Sequence, residues 1–458
     1  MKKTVLFFLI ALFSAKLFAG GVLPQDDLNR RIALDFSKTE AEIRAYIQKY
    51  IPNVTDEQML QWERSGALEC RIINGEKRYF RNAAPNLFRI DEKCRKIKEA
   101  KDGIQHKAYV DDNAVNIPIV MKEASLSSNG LADPKRVRIT YTLTVNADAV
   151  PAGKIIRCWL PFPRTDFERQ KDVKLLKTSE RKYILSGNRS DHSTLYMERK
   201  AVKGKPTVFK EVFEYTTMGA WKNVQVCNIK PYDTTSSEYK EYTAERFPHM
   251  VFSSRLRKLA DSLTVGLYNP YDKARAIFTW IDEKFPWASA REYSTIDNIP
   301  EYVLDNGHGD CGQVTLLFLT LCRIVGIPAH FESGFHVHPN DDNLHDWGEI
   351  YFEGIGWVPV DVSFGRVPNA KDDAMRYFYL GGMDSWRFVV NNDWGKPLIP
   401  EKKYPRSETV DFQRGEVEWE GGNLYFNNWE YNYKIEILAS PQPSPVGKGG
   451  LISVIWNK

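Results

Sequence analysis

A glycine-rich turn that leads into a strongly apolar segment constrains the fold of this chain more than any other feature. Residues 306–313 read Asn-Gly-His-Gly-Asp-Cys-Gly-Gln, and residues 314–322 are apolar except for two threonines. A helix that is apolar nearly all round is buried, so the chain from Cys311 to near Gly326 predicts the central helix of a domain core. The glycines allow the tight turn before it. The sequence therefore places Cys311 in the first turn of a core helix.

That position makes Cys311 a candidate nucleophile. The thiolate is the reactive form of cysteine, and the positive end of a helix dipole lowers a thiol pKa. The unpaired backbone N–H groups of the first helical turn can also hold an oxyanion. We therefore expect an activated thiol at residue 311.

A hairpin further along the chain supplies the partners that such a thiol needs. His345 begins a predicted strand, residues 353–356 read Glu-Gly-Ile-Gly, and Asp361 lies late in the next strand. Folding at the glycine-rich turn brings His345 and Asp361 near each other, although the sequence leaves the register open. A Cys, a His and an Asp together can perform acyl transfer: the His takes the thiol proton, the carboxylate orients the His, and the Cys forms a thioester.

These residues resemble the transglutaminase-like superfamily, whose fold is related to that of papain-type cysteine proteases. The matching motifs are Gly309-Asp310-Cys311, Gly326-Ile327-Pro328-Ala329, His345-Asp346-Trp347 and Trp357-Val358-Pro359-Val360-Asp361. The resemblance covers residues 255–365. It implies that Cys311 is the nucleophile, His345 the general base and then acid, and Asp361 the orienting carboxylate.

The resemblance also implies an aromatic or amide side chain that helps to bind the oxyanion. Trp287, Tyr293 and Tyr302 are the candidates upstream of the cysteine, whereas Gln313 is expected to pack or cap locally. The calcium sites of animal transglutaminases have no recognisable counterpart, so we expect neither a metal nor another cofactor. A zinc site built on His336 and His338, with His330 or Asp341, is disfavoured because these histidines are expected at the edge of a solvent-facing loop, residues 339–343.

Hydrophobic periodicity predicts a small helical domain, then a β-sandwich, then a region that mixes helices and strands. The resemblance implies that this last region is a papain-like core, a Cys-bearing helix packed on an antiparallel sheet, so the expected fold class is α+β. Capping boxes are predicted at Ser37 and Thr55, and a hairpin at Asn74-Gly75. Strands are predicted at residues 137–145, 154–160, 194–198 and 208–216. The expected segments are a signal peptide (1–19), a helical domain (20–108), a β-sandwich (109–245), the catalytic-looking domain (246–400), C-terminal strands (401–438) and a low-complexity tail (439–458).

The N-terminus predicts export. Lys2 and Lys3 precede an apolar run, residues 5–13, and Ala19 is a plausible cleavage position, so the mature protein is expected in the periplasm or outside the cell. The chain has 63 Lys plus Arg against 59 Asp plus Glu, and residues 1–19 hold three of those lysines and no acid. This near-neutral balance argues against a nucleic-acid partner. No later run reaches 18 apolar residues, so no integral span is expected in the mature chain.

The six cysteines are too sparse for a disulfide scaffold. Spacing allows Cys70 to pair with Cys94 and Cys158 with Cys227, but connectivity stays open. Cys311 and Cys322 would share one helix face about 16 Å apart, beyond disulfide reach, and Cys322 is interpreted as core packing.

The sequence thus favours an exported cysteine enzyme that attacks amide bonds of a peptide or protein substrate. Hydrolysis is favoured over cross-linking because water is the default acceptor and no residue pattern marks an amine site. The alternative is a non-catalytic binding or structural module on the same fold. The sequence does not define the substrate or the oligomeric state.

Overall fold

The computed structural model of the protein describes residues 17–18, 21–103, 108–224, 229–339 and 341–439. Most of the predicted export signal, Cys227 and the predicted tail from residue 440 lie outside the described residues. Within the described ranges, no helix has both the length and the apolar character needed to cross a bilayer.

The N-terminal part is helical with one small hairpin. Its elements are β1 (Leu17–Phe18), β2 (Gly21–Val22), α1 (Gln25–Asp35), α2 (Glu40–Gln48), α3 (Asp56–Arg64), β3 (Cys70–Ile73), β4 (Glu76–Tyr79), α4 (Ala83–Ile90) and α5 (Glu92–Asp102). The β3–β4 turn uses Asn74 and Gly75, both at positive φ, as this dipeptide predicts. Ile43 and Ile47 of α2 are buried in the local core. The β3–β4 hairpin confirms the turn predicted at Asn74-Gly75.

The two predicted helix starts have different outcomes. Thr55 caps α3 in a box with Gln58, as predicted. The box predicted at Ser37 is wrong, because the cap of α2 is Thr39 and its partner is Glu42. Lys38 exchanges two backbone hydrogen bonds with Tyr79, at 3.1 and 2.9 Å. This extended pairing keeps Lys38 out of the helix, which begins only after Thr39.

The predicted change to strands near residue 110 is also wrong, because Ala108–Leu126 forms helix α6. Ile117, Val120 and Ala124 recur at helical spacing and are buried. Val120 packs so closely on Gly219 that a Cβ there would lie 2.8 Å from a Val120 methyl carbon. This helix covers the sandwich, which therefore begins after it.

The sandwich starts with six antiparallel strands. They are β5 (Leu131–Val145), β6 (Ile155–Pro161), β7 (Gln170–Thr178), β8 (Tyr183–Leu185), β9 (Thr194–Lys200) and β10 (Thr207–Trp221). Three of the four predicted strands lie within them, and the predicted strand 154–160 matches β6 except for its first residue. Along β5 every second side chain from Val137 to Val145 is buried, as the alternation predicts.

The next part mixes helices with a second antiparallel sheet. Its elements are α7 (Ser237–Thr243), α8 (Ser254–Leu263), α9 (Pro270–Lys284), α10 (Ile299–Asn306), α11 (Cys311–Ile324), β11 (Ala329–His338), β12 (Asp341–Phe352), β13 (Gly356–Val360), α12 (Asp373–Arg376), β14 (Gly382–Met383) and β15 (Arg387–Asn391). The sheet order is β13-β12-β11-β15. Helix α11 is buried almost throughout and packs on β11 and β12. The mixed helix and antiparallel-sheet class is thereby confirmed.

The C-terminal strands return to the sandwich. They are β16 (Glu416–Trp419), β17 (Gly422–Leu424) and β18 (Trp429–Leu438). Strand β18 pairs with β5 along its whole length, and β16 pairs with β6. The two sheets run β14-β10-β5-β18, with β7 also on β10, and β17-β16-β6-β9-β8. Strands that precede and follow the Cys-bearing part therefore share the two sheets of the sandwich.

Strand β12 has two different faces, and this decides the geometry of the site. Gly348 faces α11, since a Cβ there would lie 3.0 Å from a Leu319 methyl carbon. Trp347 and Glu349 point to the opposite face, where Arg169 contacts Glu332 at 2.8 Å and Glu349 at 3.0 Å. Arg169 immediately precedes β7, so this buried ion cluster joins the sandwich to the second sheet.

We predict that Arg169→Met destabilises the protein by about 3–5 kcal/mol, because it leaves the buried Glu332 without its arginine and the half-buried Glu349 with only His330 as a basic partner. The free energy of unfolding from urea denaturation checks this. The control is Lys38→Met, which breaks an exposed pair with Glu42 and is expected to cost about 0–1 kcal/mol. Equal losses in the two variants would contradict the prediction.

Candidate active site

Cys311 occupies the first position of α11, held there by a capping box. The Asp310 carboxylate accepts the Gln313 N–H at 3.0 Å, and the Gln313 side-chain oxygen accepts the Asp310 N–H at 3.1 Å. Gln313 therefore caps the helix locally, as expected. Gly312 is required, because a Cβ there would lie 2.4 Å from the Tyr293 hydroxyl and 2.6 Å from Asp346 Oδ2.

A cavity of about 220 Å³ opens beside Cys311. Residues within segments 287–293, 343–346 and 407–414 line it, together with Asp310 and with Arg81 from the N-terminal helical part. Parts of the chain more than 300 positions apart thus form one cavity wall. Its size is suited to a few residues of a peptide or to another small group.

His345 and Asp361 lie together in the folded protein. His345 Nε2 is 2.7 Å from Asp361 Oδ2, and Arg387 Nη1 is 2.9 Å from the same oxygen. Burial alone would raise the pKa of Asp361, but His345 and Arg387 outweigh it and hold that pKa below its ordinary value. Asp361 is thus an ionised acceptor for Nε2–H. His345 Nδ1 has no hydrogen-bond partner among the described residues.

The thiol itself contacts a different residue. Cys311 Sγ donates to Asp346 Oδ2 at 3.4 Å, and within the described ranges no hydrogen bond joins it to His345. Neighbouring residues of a strand point to opposite faces, so Asp346 faces α11 while His345 shares the face of Trp347. The Gln413 amide donates to Asp346 Oδ1 and to the His345 carbonyl, each at 2.9 Å. Gln413 therefore fixes this part of β12.

The electrostatic setting of the thiol differs from the expectation of an activated thiol. Burial, and then the carboxylates of Asp346 and Asp310, raise the pKa of Cys311 above its ordinary value. Burial likewise raises the pKa of Asp310 to about 6 and raises that of Asp346. The expectation of an activated thiol is therefore wrong for this state of the protein, because burial and then the nearby carboxylates outweigh the helix dipole and raise the thiol pKa.

The oxyanion candidates occupy three different places. Trp287 lines the cavity, is 41% exposed, and its indole N–H has no acceptor among the described residues. Tyr293 also lines the cavity, but its hydroxyl donates to Asp310 at 2.7 Å. The structure does not bring Tyr302 to the cavity, because its hydroxyl donates to Glu69 of the N-terminal part at 2.9 Å. Trp287 is the candidate with an available donor.

The histidines of β11 correct another expectation. His336 and His338 are buried and stack with ring centroids 5.8 Å apart, rather than facing solvent from a loop edge. Strand β12 already begins at Asp341, whose carbonyl oxygen lies 2.9 Å from His336 Nδ1. Among the described residues no group of three or more His, Cys, Asp or Glu is arranged to hold a metal ion.

The described cysteines are all free thiols, so the allowed Cys70–Cys94 pair does not form. Cys158 is also a free thiol, and its other possible partner, Cys227, lies outside the described residues. Cys322 is fully buried in the core, as expected. Cys311 is the half-buried thiol that lines the cavity.

Sequence reasoning missed three side chains of the site. Asp346 was visible inside the His-Asp-Trp motif, and strand alternation could have assigned it to the helix face. Gln413 and Asp411 lie in segment 407–414, which has no regular period and belongs to no helix or strand. Nothing in the local pattern of that segment indicates contact with residues some 100 positions earlier.

Part of the chain is similar to known proteins. Residues 257–362 match the model of the transglutaminase-like superfamily. An uncharacterized protein of Haemophilus influenzae is 23% identical over 258 residues, which cover 48% of this chain and 68% of that protein. The uncharacterized protein YebA of Bacillus subtilis is 26% identical over 148 residues, 28% of this chain and only 20% of YebA.

One solved structure, from Cytophaga hutchinsonii and described as a candidate cysteine protease, is 15% identical with a TM-score of 0.43. Its alignment covers 70% of this chain and 97% of that chain. The matched family segment contains Cys311 on α11, His345 on β12 and Asp361 directly after β13. Residues 257–362 are thus similar to the core domain of the transglutaminase-like superfamily.

Proposed function

We propose that the protein is an exported, cysteine-dependent enzyme that attacks amide bonds of peptides or proteins, with hydrolysis favoured over cross-linking. The observation that carries this proposal is a cavity of about 220 Å³ that opens on Cys311 at the start of a core helix. The His345–Asp361 pair on the adjoining hairpin supports it. Export rests on the basic and apolar pattern of the first 19 residues, which ends at Ala19.

The proton path follows from the His345 tautomer. Asp361 accepts Nε2–H, so the lone pair of neutral His345 is on Nδ1. Because His345 lies on the face of β12 opposite to Asp346 and does not line the cavity, taking the thiol proton on Nδ1 would require its side chain to move toward Cys311. The thiolate then attacks the amide carbonyl, and the oxyanion is stabilised by the Cys311 backbone N–H and the Trp287 indole N–H. His345 protonates the leaving amine as the C–N bond breaks. Water then hydrolyses the thioester, releasing the acid and restoring the thiol.

Asp346 is the second candidate for the first proton transfer, because the thiol already donates to it. A carboxylate accepts the proton without the orienting help that His345 obtains from Asp361. Before substrate enters, the negative charge of Asp346 disfavours the thiolate and so keeps the thiol neutral. The variants His345→Ala and Asp346→Asn, described below, separate the role of His345 from that of Asp346.

We predict that Cys311→Ala abolishes amide cleavage, and that His345→Ala and Asp361→Asn each lower kcat/KM about 10²–10⁴-fold. The measurement is mass-spectrometric cleavage of a peptide library by the purified protein, with and without an added primary amine. Cys322→Ala is the control, because this buried thiol does not line the cavity. Cleavage by Cys311→Ala at the wild-type rate would refute the proposal, and a binding module without catalysis would show no cleavage at all.

We predict that Asp346→Asn makes Cys311 react with iodoacetamide about three- to tenfold faster near neutral pH, because the thiol loses a carboxylate that raises its pKa. Alkylation rates across pH check this. His345→Ala is the comparison and is expected to leave the thiol pKa raised. An unchanged or slower reaction in Asp346→Asn would show that this carboxylate does not hold the thiol neutral.

A further inference from the structure

Resting on the proposed function, we infer that the Cys311 cavity contains a subsite for a primary ammonium group, formed by the carboxylates of Asp411 and Asp346. The acyl-donor substrate would then carry a positively charged amine close to the amide that Cys311 attacks. The chemistry is shared by two sources, the free α-amino group of an N-terminal residue and the amine of a basic side chain.

Asp411 is the residue that points to a ligand. It lines the cavity and is only 7% exposed, yet neither of its carboxylate oxygens has a hydrogen-bond partner among the described residues. A buried carboxylate without a partner is costly and therefore uncommon in folded proteins. A donor that arrives with the substrate would satisfy it.

The cations of the cavity wall are engaged elsewhere. Arg81 and Arg414 each contact Glu292 at 2.7 Å. Arg414 also contacts Glu408 at 2.7 Å, and Arg291 contacts Glu69 at 3.2 Å. In the part of the chain that the structure describes, none of these arginines forms an ion pair with the subsite carboxylates. The arginines of the wall thus make their close ion pairs with glutamates. The charge of Arg414 also acts to lower the pKa of Asp411, but among the described residues no cation is in ion-pair contact with Asp411 or Asp346.

The two subsite carboxylates also disfavour each other. Burial, followed by the charge of Glu408, raises the pKa of Asp411, and burial followed by the charge of Asp411 raises the pKa of Asp346. A cation held between them would remove this repulsion and return both pKa values toward their ordinary range. A neutral or anionic group would not.

The position of Asp346 ties the subsite to the chemistry. Its Oδ2 is 3.4 Å from Cys311 Sγ, so an ammonium bound to it lies within a few bonds of the attacked carbonyl. An amine held as a cation has no free lone pair and cannot act as the nucleophile. The subsite therefore serves the acyl donor, and an incoming acceptor amine would need to be deprotonated.

The test uses three otherwise identical peptide amides: one with a free α-amino group, one N-acetylated, and one N-acetylated with a short side-chain amine beside the scissile bond. We expect the wild-type enzyme to prefer an amine-bearing peptide over the acetylated one by about 10- to 100-fold in kcat/KM. Whichever peptide is preferred, the one with the free α-amino group or the one with the side-chain amine, shows which kind of amine the subsite binds. In Asp411→Asn this preference falls about tenfold or more, mainly through KM.

The matched control is Asp305→Asn, which removes an acid that is 66% exposed and does not line the cavity. It is expected to retain the full preference. The preference of the wild-type enzyme among the three peptides is measured without any variant. It therefore still tests the subsite if Asp411→Asn does not fold.

Isothermal titration of the same peptides into Cys311→Ala separates this inference from the proposed function. Tighter binding of an amine-bearing peptide supports the subsite even without turnover. Equal binding of all three peptides, or no binding of any, overturns the subsite. Cys311-dependent cleavage without amine preference overturns the subsite alone, whereas amine-selective binding with no cleavage by the wild type overturns only the enzymatic proposal.

Discussion

The close packing of helix α11 on strand β12 is the constraint on which the rest of the site depends. Gly348 lets the helix approach, since a Cβ there would lie 3.0 Å from a methyl carbon of Leu319 on α11. This contact fixes the helix N-terminus, with Cys311, against the early residues of β12. The apolar side chains of α11 supply the burial that holds it there.

The same packing divides β12 into two chemical surfaces. The face toward α11 carries Asp346, which meets the thiol, while the opposite face carries His345, Trp347 and Glu349. That opposite face is buried and strongly polar, with Asp361, Arg387 and Asp384 in contact through ion pairs. Its charges are compensated within the protein, whereas the charges of the cavity wall are compensated only in part.

The cavity also depends on segments outside the superfamily domain. Arg81 comes from the N-terminal helical part, and Glu408, Asp411 and Gln413 come from the stretch that leads into β16. Glu292 is held by Arg81 and Arg414, which keep its pKa at about 2 despite burial. The flanking parts thus shape the cavity wall as well as supporting the core, so they are expected to influence which substrates reach Cys311.

The sequence by itself determined the core helix with Cys311 at its start, the following hairpin with His345 and Asp361, and most strands of the sandwich. These features are local: a run of apolar residues, a two-residue alternation and a glycine turn each act over a few positions. Only the tertiary structure decided that Asp346 accepts a hydrogen bond from the thiol and that the Tyr302 hydroxyl donates to Glu69. It also decided that the carboxylate of Asp411 has no hydrogen-bond partner among the described residues. Those outcomes depend on strand register and on contacts between residues up to hundreds of positions apart, which no local pattern records.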